Sequence, residues 1–205
     1  PETVAAIAVV AAEVARAVPV PVGVNVLRND AAAALAVAVA AGARFIRVNV
    51  HTGAMLTDQG WIEGRAHETL RLRARLGAPV AILADVLVKH AAPPPGLEPG
   101  DAARDAWERG LADALVVTGP ATGAPPDAAR LEAVRAAAPE APVWIGSGLS
   151  PANAATLLPL ADGALVGSAL MEAGRAGRPV DPERARALVA AARTVAGPPR
   201  VGGLP

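Results

Sequence analysis

The sequence predicts an α/β fold: a (β/α)8 TIM barrel lacking its first two strands, with six parallel strands. Three observations predict it. Strand-like apolar runs alternate with helix-like segments six times after an initial helix. The runs are apolar on both faces, as parallel strands covered by helices require. Their polar exceptions fall at or just past the C-terminal ends, where barrels of this kind build active sites. No G-x-G-x-x-G follows the first strand, which argues against an open doubly wound sheet that binds a dinucleotide.

Taken in order, residues 3–17 are apolar with Glu13 and Arg16 on the other side, and predict a helix. PVPVGVNVL predicts a strand over 20–26. Asp30 caps an alanine-rich helix that stops at Gly42. RFIRVNV predicts a strand over 44–50, and HTGAMLTDQGWIEG reads as a long loop. A helix over 65–76 ends at Gly77 and Pro79, and AILADVLV predicts a strand over 80–87. After the proline-rich AAPPPGLEPG, Asp101 opens a helix that ends near Gly110. Strands follow over 113–118, 142–146 and 163–167, with a helix to about 138 between the first two. Ser150-Pro151 and Asp181-Pro182 read as the starts of the last two helices. The domain is expected over 1–195, with GPPRVGGLP inside a flexible C-terminal tail over 196–205. The chain begins at Pro1, without methionine, and reads as N-terminally incomplete.

Composition excludes several functions. Lys plus Arg equal Asp plus Glu at 19 each, so no net field draws the chain to nucleic acid or anionic lipid. Only 2% of residues are aromatic, too few for base-stacking platforms. The absence of cysteine rules out disulfides and thiolate metal sites. No run approaches the length of a membrane helix, so membrane insertion is not expected and the location is read as cytoplasmic. Homo-oligomerisation is left open. No metal or cofactor is expected, because Asp85, His51 and His90 have no ligand spacing signature.

Period two assigns the faces. Arg47, Asn49 and His51 share one parity, opposite Ile46, Val48 and Val50. Asn25 lies opposite Val24 and Val26, and Asp85 and Lys89 oppose Ile82, Val86 and Val88. The apolar sets must meet helices, so the polar sets are expected to line the lumen. Lys89 is the only lysine among 19 cationic side chains, which suggests that a compact, titratable ammonium is wanted there. The catalytic candidates are therefore Lys89, Asp85, Asn49, Arg47 and His51. Asn25, Asp58, His90 and Thr118 are expected in the substrate pocket, with Thr122 and Gly123 in the loop beyond.

Two glycine motifs, IGSGLSPAN and ADGALVGSAL, follow the last two strands. Glycine lets backbone approach an anion, and helix N-termini favour negative charge. Gly146, Ser147, Gly148, Gly167 and Ser168 are thus the expected phosphate-binding residues. This matches the barrel habit of holding phosphate between its last two loops.

PVGVNVLRNDAAAAL, FIRVNVHTGAMLTDQGWIEG, ILADVLVKHA, ERGLADALVVTGPATG, VWIGSG and ADGALVGSALM together resemble the BtpA/SgcQ family, from about residue 3 to 193. The resemblance implies a phosphate-binding barrel. It also implies a link, in the cyanobacterial branch, to photosystem I biogenesis. Family members carry two further strands ahead of the first one here. Three functions are expected to compete: an isomerase, aldolase or lyase acting on a phosphorylated small molecule; a non-catalytic photosystem I assembly or stability factor; and an inactive fragment.

Overall fold

The computed structural model describes residues 1–119 and 123–195. Thr122 and the tail expected over 196–205 lie outside the described residues. Six parallel strands form one sheet in sequence order: β1 (Gly23–Val24), β2 (Phe45–Val48), β5 (Ala81–Val86), β6 (Ala114–Val117), β7 (Val143–Ile145) and β8 (Gly163–Ala164). β1 and β8 end the order and do not pair with each other. The sheet is a half-barrel. The strands, and their order, fall where the apolar runs placed them.

Helices cover the outer wall. α1 (Glu2–Ala17) packs on α2 (Ala31–Ala41). The Asp30 side chain caps α2 by accepting from Ala33 N at 2.9 Å, and Gly42 ends it at φ 73°. α3 (Ala66–Leu76), α4 (Pro99–Arg104) and α5 (Ala128–Ala137) follow, and α4 runs on into a π-helical turn over Asp105–Arg109. Outward-facing Val24, Ile46, Val48 and Ile82 join Leu35 and Val37 of α2 in one buried cluster. Outward-facing Val86, Leu115, Val117, Val143 and Ile145 join Leu131 and Val134 of α5 in another. Each such Val, Leu or Ile contributes about 1.5–3 kcal/mol on burial.

The inward faces form two layers. The lower is an apolar floor of Ala81, Leu83, Ala114 and Val116, packed with Phe45, Trp144 and Leu165. Glycine on the outer strands makes room for the two rings. A Cβ at Gly23 would lie 2.0 Å from Phe45 Cε2, and one at Gly163 would lie 3.0 Å from the Trp144 ring. Gly23→Ala is therefore expected to cost about 1–3 kcal/mol by overpacking, read as a lowered urea midpoint. An unchanged midpoint would mean that Phe45 swings freely into the lumen. The upper layer is polar and carries the candidate site.

The strand N-terminal rim is held by a repeated device. Leu111-Ala112-Asp113 precedes β6 and Leu160-Ala161-Asp162 precedes β8. Asp113 accepts from Ile82 N at 2.7 Å and from Arg73 at 2.5 Å, and Arg73 also reaches Val80 O. Asp162 accepts from Val143 N at 2.8 Å and from Arg135 at 2.7 Å, and Arg135 also reaches Leu160 O. Each carboxylate thus ties its own strand to the previous one and to a helix.

Two expectations need correction. The long loop after β2 contains an antiparallel hairpin, β3 (Ala54–Thr57) and β4 (Gly60–Glu63). Gly60 at φ 95° permits its tight turn, and Met55 points inward and is buried. The helix expected from Ser150-Pro151 is only α6 (Ala154–Leu157). Asn153 holds the turn ahead of it by accepting from Ser150 N and donating to Gly148 O. After β8 come two 3-10 turns, Ser168–Leu170 and Glu172–Gly174, and the last helix, α7 (Pro182–Val195), starts beyond them.

Candidate active site

The site begins with the alternation of β2. Ile46 and Val48 face the helices, so Arg47 must face the lumen, where a bare guanidinium needs a counter-charge. Asp85 of the neighbouring strand supplies it. Arg47 Nε donates to Asp85 Oδ1 at 2.8 Å and Nη2 to Oδ2 at 3.0 Å. Asn49 Nδ2 donates to the same Oδ2 at 2.9 Å. Asn25, at the end of β1, donates to Arg47 O at 2.8 Å and to Asn49 Oδ1 at 3.2 Å. The Asp85 side chain is fully buried, and burial raises its proton affinity above the ordinary carboxylate value. Arg47, Asn49 and Lys89 pull it back toward the charged form.

Lys89 stands within electrostatic reach of this cluster. The strand ends at Val86, and Leu87 then turns at φ 53°, so the turn and not strand parity delivers Lys89. Arg130 of α5 pins that turn, donating to Leu87 O at 3.0 Å and to Val86 O at 3.3 Å. No ion pair to Lys89 occurs among the described residues. Partial burial, then Arg47, lower its proton affinity, and Asp85 opposes them. Arg47, Asn49, Asn25, Asp85 and Lys89 are thus brought together. Thr118 closes the far wall: it is buried, and its Oγ1 has no hydrogen-bond partner among the described residues.

The glycine loops divide. The Gly146 amide is spent on Val117 O at 2.7 Å. Its missing Cβ leaves space that would otherwise lie 2.7 Å from Thr118 Cγ2 and 3.3 Å from Arg47 Nη2. Ser147 is buried, with its Oγ donating to Ala124 O at 3.2 Å and within 3.4 Å of Gly119 N. These two residues shape the lumen wall and the loop after β6. Gly148, Gly167 and Ser168, in contrast, line one cavity of about 270 Å³ together with Gly123, Ala169 and Arg184. The expected helix N-termini do not contribute, since the helical turns here are three and four residues long.

Three expected residues lie elsewhere. His51 falls past the end of β2, where alternation no longer holds. It is buried beneath the π turn, its Nε2 2.8 Å from Gly110 O. Asp58 sits exposed at the hairpin tip and pairs with Arg28, so the hairpin is latched to the loop after β1. His90 is exposed on the turn after Lys89. A cavity of about 660 Å³ lies outside the barrel wall between α2, α3 and β4.

Burial lowers the His51 proton affinity from its ordinary 6.5, and its Nδ1 has no partner among the described residues. The unfolded chain therefore binds more protons below that value. The stability contribution is complete above about pH 6.5 and is lost as pH falls through the folded value. The urea midpoint is expected to fall between pH 7.5 and 5.5. His51→Gln, which can still donate to Gly110 O, is expected to flatten that slope. An equal slope in the variant would assign the effect to other groups.

Residues 1–194 match the BtpA family. The chain belongs to the BtpA family. It is 49% identical over 191 residues to the photosystem I biogenesis protein BtpA of Synechocystis, covering 93% of this chain and 67% of that protein. It is 31% identical over 175 residues to the putative sgc region protein SgcQ of Escherichia coli, covering 85% and 65%. Among solved structures, phosphoribosyl anthranilate isomerase of Thermus thermophilus superposes with a TM-score of 0.63 at 18% identity, covering 91% and 80%. Thiamine phosphate pyrophosphorylase of Pyrococcus furiosus gives 0.62 at 18%, covering 95% and 79%. These structural likenesses show the fold alone, and the half-barrel itself is the strand order of this chain.

Among the described residues, no helix is long and apolar enough to cross a membrane. Nor do the described residues gather three or more His, Asp or Glu in a geometry able to hold a metal.

Proposed function

We propose that this BtpA-family chain is the barrel of an enzyme acting on a phosphorylated small molecule, by isomerase, aldolase or lyase chemistry, at its strand C-terminal rim. The observation that carries the reading is an ammonium, Lys89, with no ion pair among the described residues, held beside the pair that half-buried Arg47 makes with the fully buried Asp85. A purely structural lumen gains little from such a group, because buried charge is costly unless matched. Lys89 polarises a substrate carbonyl, or attacks it to form a Schiff base with loss of water. Asp85 moves the proton, its reactivity set by the three hydrogen bonds that Arg47 and Asn49 give it. Asn25 and Asn49 orient the ligand, with Thr118 on the far wall. The phosphate rests against Gly148, Gly167 and Ser168.

The 49% identity to a photosystem I biogenesis protein favours a second reading, a non-catalytic assembly factor. A thermal-shift screen of phosphorylated metabolites separates the two. Under the enzyme reading at least one phosphosugar raises the midpoint, by the equivalent of about 2.7 kcal/mol at a hundredfold excess over its dissociation constant. A flat screen, with co-purification of a photosynthetic complex, would reverse the order. A cytoplasmic location and homo-oligomerisation belong to this proposal as well.

A further inference from the structure

The cavity between the loops after β7 and β8 has a cation on its wall that no sequence motif marks. Arg184 lies in the first turn of α7, where Asp181 Oδ1 accepts from Glu183 N at 2.9 Å and Arg184 N at 3.4 Å. Its Nε donates to Ala169 O at 2.9 Å, and its Nη2 lies 3.2 Å from where a Gly174 Cβ would sit. The side chain is exposed, and this hydrogen bond ties its guanidinium to the loop after β8. Arg47, Arg73 and Arg135 each pair with an aspartate. Arg184 has no carboxylate partner among the described residues. With Nε engaged, its two terminal nitrogens remain for a ligand, in the planar fork that fits phosphate oxygens.

Gly167 points the same way. A Cβ there would meet nothing within 4 Å. Packing does not require glycine at this position, and the wall is bare beside Arg184.

We propose that Arg184 is the cationic half of this anion site and selects a terminal phosphate monoester. This deepens the phosphate-barrel reading and rests on it. A cavity of about 270 Å³ is smaller than pockets that enclose a whole ligand. It takes the phosphate, and the remainder of the ligand extends past Thr118 and Gly146 toward Arg47.

The test is titration with inorganic phosphate, followed by amide NMR of the intact chain, for the parent, Arg184→Met and Arg184→Lys. In the parent, the amides of Gly167, Ser168 and Ala169 shift on binding. Arg184→Met weakens binding about tenfold or more, a loss of about 1.4 kcal/mol, with its urea midpoint unchanged. Arg184→Lys recovers part of the affinity but not the fork. If the parent binds at these amides and both variants bind equally well, the role of Arg184 is overturned while the phosphate reading stands. If phosphate fails to shift these amides in the parent at saturation, both fall. If Arg184→Met proves unfolded, the lysine variant decides: unaltered affinity overturns the proposal, and weakened affinity supports it.

Discussion

Replacing Asp85 by alanine is expected to destabilise the chain by about 3–5 kcal/mol, because it strands a guanidinium in the barrel lumen. Arg47 is only 17% exposed and spends two donors on Asp85, and Asn49 spends a third. No other carboxylate pairs with Arg47 among the described residues. The loss should appear as a lower urea midpoint with an unchanged slope. Asp85→Asn, which keeps one acceptor without the charge, should fall between. Asp85→Leu combined with Arg47→Met is the informative control, since matched apolar replacement of a buried pair is often close to neutral. An Asp85→Ala loss under about 1 kcal/mol would mean that Arg47 escapes to water, and that the pair adds little to the fold.

Lys89→Met should do the reverse: little change in stability and a loss of turnover of about 10²–10⁴-fold. The side chain is only partly buried and its ammonium has no ion pair among the described residues, so methionine replaces the stem and removes the charge alone. Because the sequence has no other lysine, a borohydride-reduced adduct has one side-chain amine on which to land. With a phosphosugar found by the thermal-shift screen, intact-mass analysis should show that adduct in the parent and not in Lys89→Met. Loss of turnover without an adduct assigns Lys89 to carbonyl polarisation. Full turnover in the variant would end its chemical role.

The strands were legible because their apolar runs are continuous, and Arg47, Asn49 and Asp85 were legible because strict alternation holds as far as Val48 and Val86. Legibility stopped where the strands did. His51 kept the right parity in a segment that had already bent away. Lys89 reaches the site through a left-handed residue, Leu87, that no hydrophobic pattern announces. The hairpin could have been found: Met55 and Ile62 lie at matched distances from the Asp58-Gln59 turn. Arg184 could not, because it is one of many arginines and its contacts, Ala169 O and the Gly174 backbone, lie in an irregular loop that no pattern predicts. Gly146 was readable as important but not as to why, since its use is the space it leaves for the Val116 and Thr118 side chains, with Arg47 just beyond.

The paired aspartates ahead of β6 and β8 carry one more consequence. They fix strand register at the rim opposite the candidate site, through Ile82 N and Val143 N. The register of these two strand pairs is thereby anchored away from the loops at the strand C-terminal rim. A change of length or chemistry there alters what the protein recognises without asking the scaffold to find its alignment again. Damage at the aspartate rim would be felt in the strand pairs these carboxylates join, β5 with β6 and β7 with β8.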